Sequence, residues 1–375
     1  MQLTISSQFD GGNIELINAE NPNNIQVKIE NDSNSDFLQW FYFRLQGVID
    51  TPCVIHIMNA GDAAYPDGWE NYQARASYDR IDWFTVPTSF DGSKLTISLT
   101  PEYSSLYIAY FAPFSYEQHL DLIQFAQQSN ICTAESLGLT TQGRPIDFLK
   151  TGQGEGKKKL WVIARQHPGE TMAEWFMQGF IERILDSTDA VSIKLLEKAN
   201  LYLVPNMNID GSILGNLRVN AKGINYNREW ANPSIENSPE VYYVKEKMKE
   251  IGMDFNLDVH GDEGLAYVFI SGIEGIPSYD AKLKNLTNLF MNNWKSINPD
   301  MQDKFGYPKN EPGEANLMIC TKNLAEEFKC FAQTLEMPFK QNDNIPDEIF
   351  GWSPDRSIKL GASLVSNLLS IVDEL

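Results

Sequence analysis

The feature that most constrains the fold is a change of pattern near Pro113. Before this residue the chain consists of short β-branched and aromatic segments separated by turn-forming residues, whereas after it buried strands alternate with helices. A chain of 375 residues is too long for one ordinary hydrophobic core. We therefore predict two domains, the first over residues 1–115 and the second over residues 116–375.

The first region is predicted to be a small antiparallel β-sandwich. Turn-forming sequences such as DGG, NPNN, YPDG and FDGS separate its candidate strands, and many short strands at this spacing are typical of sandwiches and barrels. The candidate strands are QLTISSQF, NIQVKIE, QWFYFRLQGV, CVIHIMNA, KLTISLT and SLYIAYFAPF. None of them carries a cluster of catalytic residue types.

The second region is predicted to be of the α/β class, with a mixed, mostly parallel sheet flanked by helices. Nearly continuous apolar strands that alternate with helices indicate a sheet covered on both faces. The candidate strands are KKLWVIARQ, ANLYLVPNMN, DFNLDV and CFAQTLEM, and the candidate helices include SYEQHLDLIQFAQQ, TMAEWFMQGFIERIL, PEVYYVKEKMKEI, YDAKLKNLTNLFMNNW and LGASLVSNLLSIVDEL. Ligands of such sheets bind at the carboxyl ends of the strands.

Charge and composition exclude several classes of function. The net charge of −20 disfavours nucleic acid as a partner, although a local arginine cluster can still bind an anion inside a cleft. The four scattered cysteines predict neither disulfides nor a thiolate zinc site. The N-terminal sequence does not resemble a signal peptide, and no run of about 18 apolar residues predicts a membrane span. We therefore expect a cytoplasmic protein with no membrane partner.

Two strand ends carry residues suited to binding zinc. His167 and Glu170 lie in the turn HPGE after the first strand of the second region, and His260 follows the strand FNLDV. Two imidazoles and one carboxylate form a common zinc ligand set that leaves a fourth position for water. The remaining histidines are interpreted as ordinary, His56 as a residue on a strand and His119 as a solvated residue in the first turns of a helix.

A second group of polar residues lies in one connection rich in glycine and asparagine. Arg218, Asn227 and Arg228 occur in the segment NLRVNAKGINYNREW. A guanidinium group binds a terminal carboxylate through two hydrogen bonds, and a second arginine can stabilise an oxyanion. The alternative is a surface loop with ordinary salt bridges.

A single carboxylate, Glu336, lies near the end of the apolar strand CFAQTLEM. A buried acid is costly without a partner, so a functional or paired role is expected. Next to a zinc site it could act as the general base, and the alternative is a structural ion pair with an arginine.

Together these segments resemble the zinc carboxypeptidases of peptidase family M14, and more narrowly the cytosolic carboxypeptidases including their bacterial members. The motifs that carry the resemblance are QWFYFRLQG and YIAYFAPFSYEQHL in the first region, and ARQHPGETMAEW, PNMNIDGSILGNLRVN, NYNREW and QTLEMPF in the second. The resemblance implies a mixed sheet flanked by helices and preceded by a small β-sandwich.

The resemblance also implies a role for each candidate residue. His167, Glu170 and His260 match the ligands of one Zn²⁺ per chain, and Glu336 matches the general base. Arg218 matches the residue that polarises the scissile carbonyl, while Asn227 and Arg228 match the pair that binds the terminal carboxylate. The expected substrates are the C-termini of peptides or proteins, with acidic residues such as glutamate among those removed.

The sequence departs from the family pattern at two informative positions. Asn225 stands where many members have an aspartate that orients a metal-binding histidine. Asn316 stands where the eukaryotic tubulin-processing members are expected to have an arginine, which weakens the prediction of a glutamate preference. No residue can be assigned from the sequence as the tyrosine that closes over substrate.

Two other functions remain open at this level. An aspartoacylase-like deacylase of N-acyl amino acids would use the same metal ligands on a similar sheet. A non-catalytic peptide-binding protein would use the same scaffold with a broken site, although all three ligands and the base are present here. The sequence contains no indication of oligomeric state.

Overall fold

A computed structural model describes residues 3–375. In residues 3–115 the chain forms two five-stranded sheets, with strand orders β1-β4-β10-β6-β7 and β2-β3-β5-β9-β8. The strands are β1 (Thr4–Ser6), β2 (Glu15–Asn18), β3 (Ile25–Lys28), β4 (Tyr42–Gln46), β5 (Cys53–Ile57), β6 (Ala74–Ser77), β7 (Phe84–Val86), β8 (Thr88–Phe90), β9 (Leu95–Leu99) and β10 (Ser105–Ala109). Alternate residues of β5 and β9 are buried, as expected for strands with one face toward a core.

The predicted antiparallel sheets are confirmed, with one exception. Strands β3 and β5 run parallel, with Ile25 opposite Ile55. Parallel neighbours need a crossover connection. Here the chain passes through β4 of the other sheet between β3 and β5, which allows both strands to run in the same direction.

In residues 116–375 a seven-stranded sheet with the order β11-β12-β14-β13-β15-β17-β16 lies between helices. The elements are α1 (Tyr116–Gln128), β11 (Cys132–Leu139), β12 (Pro145–Thr151), β13 (Lys158–Ala164), α2 (Met172–Ile184), α3 (Ala190–Lys198), β14 (Ala199–Val204), α4 (Ile209–Leu214), α5 (Pro239–Ile251), β15 (Phe255–Asp262), β16 (Phe269–Ser271), α6 (Ala281–Ile297), α7 (Cys320–Phe328), β17 (Phe331–Pro338) and α8 (Pro354–Ile371). The four central strands are parallel and the pairings at both edges are antiparallel. This confirms the predicted α/β fold class.

Alternation along the central strand β13 explains why the sheet is covered on both faces. Leu160 and Val162 pack in a core that extends to α2, α8 and the first region of the chain. Trp161 and Ile163 pack on the opposite side, in a second core formed with α5 and α7. A strand buried on both faces has no polar face, which accounts for its continuous apolar sequence.

Two glycines allow α2 and α8 to pack closely. A Cβ atom at Gly179 would lie 2.0 Å from the carbonyl oxygen of Ile358, and one at Gly361 would lie 1.9 Å from the carbonyl oxygen of Phe176. Both distances are impossible for a real side chain. The helix pair therefore depends on glycine at these two positions.

The carboxyl ends of the parallel strands lie along one edge of the sheet. His260 on β15 is directly opposite Glu336 on β17, and the turn that follows β13 leads into α2 at the same edge. His260 lies within β15 rather than after it, because the strand continues to Asp262 through its pairing with β17. Within residues 3–375, no helix combines the length and apolarity required to cross a bilayer.

Candidate active site

The structure brings together the three candidate metal ligands. His167 Nδ1 lies 2.6 Å from Glu170 Oε1, and His260 Nδ1 lies 2.7 Å from Glu170 Oε2. The possible ligand atoms of these residues all lie within 4.8 Å of one another, and all three side chains are buried. The turn after β13 supplies two of them and β15 supplies the third.

The outer nitrogen of each imidazole contacts an oxygen of a neighbouring side chain. His167 Nε2 is 3.2 Å from Asn225 Oδ1, and His260 Nε2 is 2.9 Å from Asp258 Oδ2. Gln166 Nε2 donates to the same Asp258 oxygen at 2.7 Å. Because these contacts occupy Nε2, both histidines present Nδ1 to the centre of the cluster, as outer contacts commonly do for metal-binding histidines.

The electrostatics of the cluster fit a divalent cation. Burial and nearby Arg218 lower the pKa of His167 to about 4, so this imidazole is neutral and can act as a ligand. Burial opposes ionisation of Glu170, but the two imidazoles hold its pKa below its usual range. Burial would also lower the pKa of His260, but Asp258 and Glu170 raise it well above its usual value. The cluster therefore favours a positive charge at its centre. Its donors, one carboxylate and two imidazole nitrogens, are those that Zn²⁺ prefers.

Glu336 lies beside this cluster without an ion-pair partner. Its carboxyl group is buried, Oε2 has no hydrogen-bond partner among residues 3–375, and no arginine of these residues forms a salt bridge with it. Burial, together with nearby Glu170, raises the pKa of Glu336 well above its usual range. The structural alternative for this residue, an arginine pair, is therefore not observed.

Arg218, Asn227 and Arg228 line the same cleft as the histidines and Glu336, and the cleft has a volume of about 1110 Å³. Asn227 Oδ1 accepts a hydrogen bond from the backbone N–H of Cys320 at 2.9 Å, at the start of α7. Burial, and then the charge of Arg218, lower the pKa of Arg228. Two mutually repelling guanidinium groups in one cleft favour an anionic ligand.

The sequence analysis missed several residues that line the cleft. Tyr307 lies in the loop before α7, and its hydroxyl group hydrogen-bonds to Asp262. Tyr65 extends into the cleft from the first region. No local pattern in the sequence distinguishes either tyrosine. Asp258, which does not line the cleft but contacts His260, could have been found, because it lies two residues before His260 and therefore on the same face of β15.

Asn316 is exposed and does not line the cleft. Its side-chain oxygen instead accepts a hydrogen bond from the backbone N–H of Met318 at 3.0 Å.

The prediction that His119 is solvated is wrong. Its side chain is buried, with Nδ1 2.6 Å from Glu174 and Nε2 3.1 Å from Asp147. Burial alone would lower the pKa of His119, but these two carboxylates raise it to about 9. Arg165 connects this network to the metal-ligand turn, because it bonds to Glu174 at 2.7 Å and donates to the carbonyl oxygen of Pro168 at 2.9 Å.

The four central strands of the sheet are parallel, and their carboxyl ends carry a His-Glu-His cluster, a buried carboxylate and two arginines. This combination is that of a metal-dependent hydrolase of the exopeptidase class. Residues 116–350 match the zinc carboxypeptidase family, and residues 5–111 match the cytosolic carboxypeptidase N-terminal domain. The chain belongs to the zinc carboxypeptidase family, and it is a metallo-carboxypeptidase.

Relatives support this assignment over the full length of the chain. An uncharacterised protein of Zymomonas mobilis is 46% identical, covering 100% of this chain and 98% of that protein. A metallo-carboxypeptidase of Burkholderia cenocepacia has a similar crystal structure, with 44% identity, a TM-score of 0.96 and 99% of each chain covered. A metallo-carboxypeptidase of Pseudomonas aeruginosa, solved in complex with (2-guanidinoethylmercapto)succinic acid, is 44% identical with a TM-score of 0.97 and 99% of each chain covered. These findings do not favour the deacylase alternative.

Proposed function

We propose that this enzyme removes C-terminal amino acids from peptides or proteins, with one zinc ion per chain held by His167, Glu170 and His260. The observation that carries the proposal is the convergence of both Nδ1 atoms on Glu170 immediately beside the unpaired carboxyl group of Glu336. A zinc ion held there supplies Lewis acidity, which activates water and polarises a carbonyl group.

The protein side chains have separate roles in this proposal. Glu336 accepts a proton from the attacking water and donates it to the departing amine as the C–N bond breaks. Arg218 donates N–H groups to the oxyanion that develops on the carbonyl oxygen. Asn227 and Arg228 bind the terminal carboxylate, which restricts cleavage to the last peptide bond.

The ligand of the Pseudomonas relative is consistent with this division of roles. The succinic acid part of this guanidino compound carries two carboxylates, and the present cleft offers a cation site and two guanidinium groups as partners for them. The proposed substrate is therefore a chain end with a free carboxylate.

We further propose that acidic residues are among those released. Lys304, Lys309 and Lys322 line the cleft, and burial lowers the pKa of Lys322. Lys309 is paired with Glu274 at 2.9 Å, whereas Lys304 and Lys322 form no ion pair within residues 3–375. A panel of peptides that differ only in their last residue, read by mass spectrometry with the zinc-loaded enzyme, tests this preference.

The division into domains over 1–115 and 116–375 and a cytoplasmic location are also part of the proposal. The break between the two family matches, after residue 111 and before residue 116, supports the first. The match to a cytosolic carboxypeptidase domain supports the second.

Replacing the proposed base tests the mechanism. We expect Glu336→Gln to lower kcat by at least about 100-fold, because proton transfer is lost. Its zinc content should stay near one per chain, since Glu336 is not a proposed ligand. Peptide hydrolysis and metal analysis on the same preparation measure both quantities.

Glu263→Gln is the matched control, because Glu263 is a second buried carboxyl group that lines the same cleft. This variant should retain most of its turnover. If Glu336→Gln remains active while Glu263→Gln is inactive, Glu336 is not the base.

A further inference from the structure

The backbone that carries Arg218 is bound by a carboxylate from the first region of the chain. Asp32 Oδ1 accepts a hydrogen bond from the backbone N–H of Leu217 at 2.6 Å, and Oδ2 accepts from those of Arg218 and Val219 at 2.7 and 3.1 Å. Asp32 is 3% exposed. A side chain more than 180 residues away in sequence therefore satisfies three consecutive amides of the loop.

The side chain of Arg218 also contacts the first region. Its guanidinium carbon lies 5.4 Å from the ring centroid of Tyr65 and 6.0 Å from that of Phe37, within the range of cation–π attraction. The buried amide of Gln39 holds Tyr65 through hydrogen bonds to its backbone N–H at 2.9 Å and to its carbonyl oxygen at 3.1 Å. The backbone that carries the ring is thus fixed by the first region.

Close packing at both ends leaves the loop little freedom to move. Gly215 and Gly223 have positive φ angles of 71° and 85°. A Cβ atom at Gly215 would lie 2.9 Å from the carbonyl oxygens of Gly11 and Gly12, and one at Gly223 would lie 2.3 Å from that of Asn34. Residues 215–223 are therefore seated directly on the first region.

We propose that Asp32 is a positioning residue for Arg218, so that the N-terminal β-region sets the geometry of the oxyanion-binding arginine. The inference rests on the proposed function, because it gives Arg218 its role at the scissile carbonyl. A displacement of about 1 Å at a catalytic group can lower a rate by about 100-fold, so an anchor of three hydrogen bonds has catalytic consequences.

A carboxylate is specifically suited to this anchor. Its two oxygens have the capacity to accept all three amide hydrogens, whereas asparagine has one oxygen and would turn an N–H₂ group toward another donor. Burial raises the pKa of Asp32 to about 6 although the three amides lower it, so the group is ionised at neutral pH. Asp32→Asn therefore removes acceptors while it preserves shape.

A double-mutant cycle with Arg218→Ala tests the inference. We expect Asp32→Asn to lower kcat by about 100-fold with little change in KM, because Arg218 acts on the developing oxyanion rather than on the terminal carboxylate. In the Arg218→Ala background the same substitution should change kcat/KM by less than about twofold. The variants are compared as folded, zinc-loaded full-length chains.

Hydrogen exchange gives a second readout that is independent of activity. Asp32→Asn should accelerate exchange of the amides of residues 217–219 while the central strands remain protected. Asp254→Asn is the matched control, since Asp254 Oδ2 accepts the backbone N–H of Lys159 at 2.8 Å at the opposite end of the sheet. It should leave both kcat and exchange at residues 217–219 unchanged.

The outcomes separate this inference from the proposed function. An equal loss of kcat/KM in both backgrounds, or unchanged exchange at residues 217–219, overturns the role of Asp32 while the carboxypeptidase function stands. If Arg218→Ala has no effect on hydrolysis, the proposed role of Arg218 fails and the inference fails with it. If the wild-type chain hydrolyses no peptide, the proposed function fails, and the exchange data still decide whether Asp32 holds the loop.

Discussion

The two histidines of the candidate metal site have different outer partners. The Nε2 atom of His260 contacts the carboxylate of Asp258, whereas that of His167 contacts the neutral amide oxygen of Asn225. A charged partner makes an imidazole more basic and so a stronger metal ligand than a neutral partner does. The two sides of the site therefore differ in how strongly the protein supports the metal.

This asymmetry predicts opposite effects of two substitutions on zinc affinity. Asp258→Asn should weaken zinc binding by about 10–100-fold, because His260 loses its charged partner. Asn225→Asp should strengthen binding, because His167 gains one. Competition against a chelator at fixed pH measures both dissociation constants, and equal affinities in the three proteins would contradict the role assigned to these contacts.

At this scale the sequence predicted most residues of the candidate site but few of their supports. Recognisable local motifs contain the three candidate metal ligands, the candidate base and the polar residues of the 218–228 connection, namely His167, Glu170, His260, Glu336, Arg218, Asn227 and Arg228. Asp32 and Tyr65 reach the site only through packing of distant segments. The spacing of residues in the sequence does not reveal such long-range contacts.

Among the elements, predictions were best where the sequence is continuously apolar. The four central strands and the five predicted helices are present, mostly with small shifts at their ends. The largest shift is at the last helix, which is predicted over residues 360–375 and is observed as α8 over Pro354–Ile371. The short strands β2, β6, β7 and β8 were not predicted, nor were β11, β12 and β16. Strands of three or four residues contain too few positions to show alternation, and the edge strand β11 needs less burial than the central ones. The seven-residue β12 lies one strand in from that edge, and its buried residues alternate only in part.

The first turn of α5 supports the connection that carries Asn227 and Arg228. Glu240 is 1% exposed and accepts a hydrogen bond from the hydroxyl group of Tyr226, while its other oxygen is buried without a partner among residues 3–375. Burial raises the pKa of Glu240 from 4.5 to about 7, although the bond from Tyr226 opposes the rise. The folded state therefore binds the Glu240 proton more tightly than the unfolded state does.

This pKa shift predicts a pH dependence of stability. A raised pKa in the folded state stabilises the protein below about pH 4.5, and that contribution is lost as the pH rises to about 7. Between these pH values the free energy of unfolding of the wild type should thus fall by up to about 3 kcal/mol relative to that of Glu240→Gln. Urea unfolding as a function of pH measures the difference.

The control for this prediction is Glu250→Gln, on an exposed position of the same helix. Its free energy of unfolding should follow that of the wild type at each pH. If the curves of Glu240→Gln and the wild type are parallel, Glu240 does not titrate in the folded protein as inferred.

At the scale of the whole molecule, one hydrophobic core extends across both regions of the chain. Tyr110 stacks on Phe339 with ring centroids 4.5 Å apart. Arg75 of β6 is 1% exposed and donates through Nη2 to the carbonyl oxygens of Phe339, Lys340 and Trp352 at 3.1, 3.4 and 3.3 Å. The first region is thus bonded directly to the segment that follows β17.

Removal of this arginine should destabilise the entire chain. We expect Arg75→Met to lower the free energy of unfolding by about 3 kcal/mol or more, because several buried carbonyl groups lose their hydrogen-bond donor. Because the core is shared, unfolding should remain one transition that shifts to lower temperature. Calorimetry measures both properties.

Arg80→Met, at an exposed position five residues later, is the control. It loses a cation–π contact with Tyr107 and should lower the free energy of unfolding by no more than about 1 kcal/mol. Two separate transitions in Arg75→Met, or an unchanged midpoint, would contradict the coupling of the two regions.

The sequence by itself determined the fold class and indicated the candidate metal ligands, because periodicity and short motifs depend on residues only a few positions apart. Only the tertiary structure decided that β15 and β17 place His260 opposite Glu336, that His119 is buried against Glu174, and that Asp32 holds the Arg218 loop. These contacts join segments between 55 and 186 residues apart. Their geometry depends on the packing of whole sheets and helices, which no local pattern specifies.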